Sequence, residues 1–244
     1  MEVHAHSHTA RKKWTHYFWE FFMLFLAVTA GFFVENLREH KIEKDREVEY
    51  IQSYIEDLQT DTAEIRRVIT THKRKLIVLD SFMLLLSNQK IKGYESDLYF
   101  HVRRILRSTD FRNNDRTISQ LKNSGGMRLI KNKKAADRMF DYQNKIEGIE
   151  DSQLGHANER KDMYPTIALM FNPFVFDQMV TMDGINKPEN NPPLLSYDPA
   201  LQYTIAFYVH QLKGSNYILQ KSLENLYNYA IKSIELLKNE YHLK

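Results

Sequence analysis

An apolar run near the N-terminus sets the strongest limit on the architecture of this chain. Between Tyr17 and Val34, Glu20 is the only ionisable side chain that clearly interrupts the run. In a helix this stretch is roughly 27 Å long, close to the ~30 Å hydrocarbon core of a bilayer. The run therefore predicts one transmembrane helix, which we place at residues 14–34.

Charges on either side of the run predict its orientation. Arg11, Lys12 and Lys13 precede it in a short tail of residues 1–13, and charges of both signs follow it. Because basic residues are retained on the cytoplasmic side, the N-terminus should lie in the cytoplasm. We expect a single-pass protein of the bacterial inner membrane with a periplasmic C-terminal domain.

Two other interpretations of the run stay open. A cleaved signal peptide would also have a basic start and an apolar stretch, and residues 28–30 are a tolerable cleavage site, although the apolar residues 32–34 continue past it. The uninterrupted part, from Phe21 to Val34, is also short enough to be the buried core helix of a soluble protein.

Beyond the run, the sequence predicts long helices. Residues 35–47 are mostly charged and predict a solvated helical neck, and no Gly or Pro occurs between Gly31 and Gly93. From residue 48 onward, apolar positions recur at alternating steps of three and four, which is a heptad pattern. The predicted seam consists of Ile51, Ile55, Leu58, Thr62, Ile65, Ile69, His72, Leu76, Leu79, Met83 and Leu86.

The remaining segments complete a helical domain over residues 48–244. Asp198-Pro199 is an N-cap followed by proline at the first helical position, which predicts the start of a long final helix. An irregular segment from Asn172 to Pro193 precedes it, and no convincing strand is present. Other helices are predicted at residues 97–106, after Asp115, and at 132–170 with a kink at Pro165. The predicted fold class is all-α: an N-terminal transmembrane helix followed by a long-helix antiparallel bundle of about four helices, in which the first and last long helices pair.

Composition narrows the range of functions. The 34 basic and 31 acidic residues are spread along the chain and leave a net charge of +3, so no nucleic-acid partner is predicted. The absence of cysteine excludes disulfides, zinc–thiolate sites and thiol nucleophiles. No nucleotide-binding loop, nucleophile elbow or paired-carboxylate motif is present, so we expect neither an enzyme nor a cofactor.

Three residues of the predicted span are candidate functional residues. A carboxyl group at Glu20 costs on the order of 1 to 3 kcal/mol, and acidic groups inside membranes often belong to ion pathways. Glu20 is either such a working carboxylate or an interfacial group level with Trp19. Ala27 and Gly31 have the small-xxx-small spacing, which allows two spans to pack closely and predicts a homo-oligomer formed through the membrane helix.

Two further groups of residues have side chains that bind ions in other proteins. His4, His6 and His8 alternate in the tail, but no companion ligand fixes their geometry, so no metal site is predicted. The second group is a basic glycine turn whose amides, next to a helix start, suit a phosphate or carboxylate. A capped turn with solvated lysines is its alternative interpretation. The turn comprises Lys122, Gly125, Gly126, Arg128 and Lys131.

Parts of the sequence resemble known membrane proteins of no assigned activity. The segment from Lys12 to Phe21, the apolar span and Glu35-Asn36 resemble the membrane anchor of an uncharacterised family of single-pass helical proteins common in the Bacteroidetes. Two later segments are similar to a related family of short membrane-anchored proteins: residues 49–51 with Asp57-Leu58, and residues 118–130 followed by Tyr142. The resemblance covers roughly residues 11–150 and implies topology and a Gram-negative envelope, with no catalytic residues to carry over.

Together these observations predict a non-enzymatic, membrane-tethered module. It would act as a scaffold or sensory part of the bacterial envelope, with the lipid bilayer and an envelope protein as partners. The alternative is an accessory subunit of an ion-coupled membrane complex in which Glu20 is the working group.

Overall fold

The computed structural model describes residues 13–87 and 91–243, and about 80% of the chain is helical. The predicted all-α class is confirmed. Its elements are α1 (Trp14–Ser87), α2 (Glu95–Ile105), α3 (Arg116–Asn123), a 3₁₀ helix (Gly126–Leu129), α4 (Lys133–Asp162), α5 (Tyr164–Met170), α6 (Pro173–Gln178), β1 (Val180–Thr181), β2 (Gly184–Ile185) and α7 (Pro199–Glu240). The chain divides into two units, Met1–Tyr50 and Ile51–Lys244, which we describe separately.

The first unit contains the apolar part of α1. This is the one helix in the described residues that is long and apolar enough to cross a membrane, with a mean hydropathy of 1.8 over its most apolar window. None of that window is buried inside the protein. The side chains of Phe21, Leu24 and Phe32 are each more than 60% exposed, so this stretch packs against no core of its own.

In the second unit the buried line along α1 differs from the predicted seam. The two share Ile51, Leu58, Ile65, His72, Leu79 and Leu86, and Ile55 is buried as well. The intervening core positions, however, are Tyr54, Asp61, Val68 and Phe82. Four members of the predicted seam, Thr62, Ile69, Leu76 and Met83, are only partly buried. The buried line of α1 includes the charged residue Asp61, and partly buried Lys75 is in phase with it. A pattern of apolar residues therefore predicts the positions next to them instead.

Helix α7 is the central packing partner in the second unit. Its largest helix–helix contact is with α4, and it also packs on α5. Contacts with α1 join Tyr227 to Arg66, Asn216 to His72 and Lys213 to Asp80. Because the residue numbers rise along α1 while they fall along α7, these two helices are antiparallel.

Helix ends follow local chemistry. Asp198 caps α7 as predicted, its carboxylate accepting the amide proton of Ala200 at 2.9 Å. The predicted single helix over 132–170 is instead two helices, α4 and α5, which meet at Met163. Pro165 lies in the first turn of α5, where its missing N–H costs no helical hydrogen bond, so the proline starts a helix rather than kinking one.

The segment between α5 and α7 has more structure than the sequence indicates. It contains the short helix α6 and an antiparallel hairpin of two strands, β1 and β2, of two residues each. The prediction of no strand was therefore wrong at this point. Glu95 of α2 holds the segment: its carboxylate accepts the hydroxyl proton of Tyr197 at 2.8 Å and an amide proton of Asn191. Tyr99 adds a bond from its hydroxyl to the carbonyl of Pro193 at 3.1 Å.

Candidate functional site

The candidate residues of the predicted span all lie on the exposed surface of α1. Glu20 is about half exposed, and its Oε1 lies 2.9 Å from Nε2 of His16, one helical turn nearer the N-terminus. Ala27 is exposed too. A Cβ atom added at Gly31 would have no atom within 4 Å, so this face of the helix is open within the chain.

The basic glycine turn lies between α3 and α4. Gly125 has a φ of 65°, in the left-handed region, and Gly126 packs so closely on Leu121 that an added Cβ would lie 3.1 Å from its Cδ2. The side chains of Lys122, Arg128 and Lys131 are exposed. Asn132 caps α4 by accepting from the amide of Ala135 at 3.2 Å, so the start of this helix already has a side-chain acceptor. The three tail histidines lie outside the described residues.

Two clusters of buried polar side chains interrupt the core along α1. The first, which we call the carboxylate layer, is built around Asp57 and Asp61, which are 1% and 2% exposed. Asp57 accepts from the amide of Thr117 at 2.8 Å and from Nδ2 of Asn114 at 3.0 Å. Its Oδ1 also lies 3.0 Å from the guanidinium of Arg116. Asp57 therefore serves as acceptor for the first turn of α3 from a different helix.

Asp61 completes the carboxylate layer. One of its oxygens accepts from the amide of Asn114 at 2.6 Å, and the other accepts from the hydroxyl of Tyr142 on α4 at 2.8 Å. Burial raises the pKa of Asp61 to about 6, and the neighbouring charges of Asp57 and Asp115 act in the same direction. The carboxylate layer joins α1 to α3 and α4, because the carboxylate oxygens on α1 accept hydrogen bonds from donors at these two helices.

The second cluster, the cationic layer, lies about four turns further along α1. It contains His72 and Lys75 of α1 with His156 and Arg160 of α4. Nδ1 of His72 accepts from Asn216 at 2.9 Å and its Nε2 donates to the carbonyl of Thr109 at 3.2 Å. These partners require a neutral ring protonated on Nε2.

The charges of the cationic layer have no acidic partner in contact. Arg160 donates to Nδ1 of His156 at 2.6 Å, and Lys75 donates to the backbone carbonyl of Arg107 at 2.6 Å. Among the described residues no ion pair involves Lys75 or Arg160. Burial and the charge of Arg160 lower the pKa of Lys75 to about 7, against the weaker attraction of Asp110. Burial first, and then the charges of Lys75 and Arg160, lower the pKa of His156 to about 3.

A pocket of about 280 Å³ opens above this layer, between α1 and the end of α2. Four basic side chains line it: Arg74, Lys75, Arg104 and Arg107. His72 and the hydroxyl-bearing Thr71, Ser108 and Thr109 lie among them, while Val78 and Ile185 supply apolar wall. None of the described residues that line the pocket is acidic. We call this the basic pocket.

Neither polar layer was predicted as a site, although parts of both were visible in the sequence. His72 is a polar member of the predicted seam, and Asp57 and Tyr142 belong to the segments that resemble a known family. Asp61, His72 and Lys75 lie at three- and four-residue steps on the buried face of α1. The correct helical phase would have shown these polar residues at core positions. A charged residue at such a position needs a partner, and the search for partners leads to both layers.

The described residues contain no group of three or more His, Cys, Asp or Glu side chains arranged to hold a metal ion. Comparisons of the chain with protein-family models, with curated proteins and with solved structures found no match.

Proposed function

We propose that this chain is a non-enzymatic, single-pass, membrane-tethered interaction or sensory module of the bacterial envelope. In this proposal residues 14–34 span the inner membrane, residues 35–47 form a neck, and the domain after it is an antiparallel bundle of about four helices in the periplasm. The exposed apolar window of α1 carries the proposal. At roughly 25 cal/mol per Å² of apolar surface, leaving several phenylalanines and leucines in water is unfavourable, whereas a bilayer would solvate them.

A binding role fits the second unit better than catalysis. The hydrogen bonds of Asp57, Asp61 and His72 join helices that are distant in sequence, so these three side chains hold the fold together. The basic pocket offers charge and hydrogen-bond donors but no paired nucleophile and base among the described residues that line it.

The contact of Glu20 with His16 supports an interfacial role for this carboxylate. The partner histidine lies one turn nearer the N-terminus, toward the predicted cytoplasmic headgroups. An ion-coupled function for Glu20 makes a different prediction: Glu20→Gln would leave a complex that assembles but has no activity.

Paired reporters test the tether. A reporter that is active only outside the cytoplasm is fused after Lys244, and one that is active only inside is fused at the same position as its control. We expect activity from the first alone, retention of the protein in membranes after carbonate washing, and an intact mass that includes the N-terminal residues. Soluble full-length protein, or an intact mass that corresponds to a chain starting near residue 31, would contradict the tether.

Self-association through the span is part of the proposal. Because a Cβ at Gly31 meets no atom of its own chain, Gly31→Leu should leave the fold unchanged and act only on contacts between chains. We expect detergent-solubilised wild type to form oligomers that Gly31→Leu disrupts, measured by chemical crosslinking. Equal crosslinking of both proteins would exclude this interface.

A further inference from the structure

We propose that the basic pocket binds a small oxyanion that carries more than one negative charge, either a di- or tricarboxylate or a phosphate. The binding site stands on the geometry of the pocket alone. Its assignment as the signal that the module detects rests on the function proposed above.

Charge is the first argument. Four basic side chains converge on one pocket of about 280 Å³, and none of them forms an ion pair with a described residue. Two basic side chains elsewhere in the same unit do have acidic partners: Lys213 lies 2.6 Å from Asp80, and Lys134 lies 2.7 Å from Glu240. Positive charges gathered without a counterion repel one another, and a bound anion would remove that repulsion.

The ammonium group of Lys75 is held in place within the pocket. Lys75 is partly buried, and its ammonium group donates to the carbonyl of Arg107, which leaves donor capacity for a ligand. Arg160, a buried residue 7% exposed, adds a positive charge that acts on Lys75. A fixed, partly desolvated ammonium binds an anion more strongly than a mobile surface lysine does.

The remaining lining indicates the class of anion. Arg104 and Arg107 are exposed at the rim and can present two donors each to a carboxylate or phosphate. Thr109 adds a hydroxyl group, whereas the hydroxyl of Ser108 already donates to Asp110 at 2.7 Å. Val78 and Ile185 suit a short carbon skeleton. The volume of about 280 Å³ is just below the range of roughly 300–1,000 Å³ for small-molecule sites, so the pocket suits a small ligand.

Isothermal titration calorimetry on the full-length protein in detergent micelles tests the site. Potassium citrate and inorganic phosphate are titrated separately at constant ionic strength and neutral pH. We expect a dissociation constant below about 1 mM for at least one of them. A third titration with dihexanoyl phosphatidic acid separates a lipid headgroup from a free anion as the source of the same chemistry.

Matched variants locate the binding. Lys75→Met should weaken binding by about tenfold or more, while Lys73→Met should change it by less than about twofold, because Lys73 is exposed and lies 3.8 Å from Glu224. The two variants remove the same charge from the same helix. If Lys75→Met does not fold, Arg107→Gln at the exposed rim takes its place. Equal weakening by Lys73→Met, or no binding of any of the three probes, would overturn the proposal.

Proton uptake is a second readout. An anion beside Lys75 favours its charged form, so binding just above neutral pH should take up protons, measured as a difference in heat between buffers of different ionisation enthalpy. The other titratable or charged groups near Lys75 are His72, His156, Arg160 and Asp110, and Arg74, Arg104 and Arg107 line the pocket with it. Uptake that persists in Lys75→Met would assign it to another of these groups and contradict the role of Lys75. If the wild-type protein binds none of the three probes but stays attached to the membrane, the pocket is refuted and the tether stands.

Discussion

The carboxylate layer and the cationic layer interrupt the same helix, yet they are built in opposite ways. In the first, Asp57 and Asp61 accept hydrogen bonds from two backbone amides, an asparagine side chain and a tyrosine hydroxyl. Asp57 also contacts the guanidinium of Arg116. In the second, the hydrogen-bond acceptors that the described residues offer to Lys75 and Arg160 are a carbonyl oxygen and a neutral imidazole. The first layer is closed and the second opens into a pocket.

This difference in hydrogen-bond partners distinguishes polar groups that hold the fold together from polar groups that are available to bind a ligand. A buried charge whose hydrogen bonds are complete fixes how helices pack, and its loss should cost stability. A buried charge without a counterion lowers stability in the free protein and gains a partner when a ligand arrives. Removing the charge should therefore give opposite signs at Asp57 and at Lys75.

The largest expected effect is at Asp57. Asp57→Ala removes the acceptor for the amide of Thr117, for Nδ2 of Asn114 and for the guanidinium of Arg116. We expect the free energy of unfolding to fall by about 3 kcal/mol, measured by urea denaturation followed by circular dichroism. Glu56→Ala is the control, since this exposed neighbour also contacts Arg116 and should change stability by less than about 0.5 kcal/mol. Equal effects would mean that the layer is not structural.

The second effect is a pH dependence due to Asp61. Because its pKa in the folded protein is about 6, above the ordinary value of 3.8, the folded state binds more protons between those values. This group therefore adds stability as pH falls from about 6 to about 4. The free energy of unfolding of Asp61→Asn should lack this gain, so its difference from that of the wild type should change by on the order of 2 kcal/mol between about pH 6 and about pH 4. Parallel stability profiles of the two proteins would show that Asp61 titrates normally.

The smallest effect has the opposite sign. Lys75→Met replaces a partly buried cation by an apolar side chain of similar length, and we expect the free energy of unfolding to rise by about 1 kcal/mol at neutral pH without added anion. Lys73→Met, at an exposed position, should stay within about 0.5 kcal/mol of wild type. A loss of stability in Lys75→Met beyond that of the control would place Lys75 with the structural groups.

The long elements were predictable from the sequence because their signals are local. The apolar run, the uninterrupted stretch to Gly93 and the cap at Asp198 each depend on a few neighbouring residues. The two layers depend on contacts between residues far apart, such as Asp61 with Tyr142 and His72 with Asn216. A single sequence does not encode such pairs in a readable pattern.

Helix phase was the other obstacle. A charged residue on a helix is normally assigned to the solvent face, so Lys75 and Asp61 moved the predicted seam to Leu76 and Thr62, one position along the chain. The short strands after α6 were missed because two-residue strands lie below any period-two signal. Both misses occur where tertiary contacts override local preference.

The charge state of Lys75 tests the contrast between the layers most directly. Competitive labelling with an amine-reactive reagent, resolved by peptide mass spectrometry across pH, gives the pKa of individual lysines in the full-length protein. Lys213 serves as the internal reference, because its contact with Asp80 raises its pKa above the ordinary value. We predict a midpoint near pH 7 for Lys75 that moves upward when citrate is added. A midpoint of Lys75 near that of Lys213, unchanged by citrate, would contradict an uncompensated cationic layer.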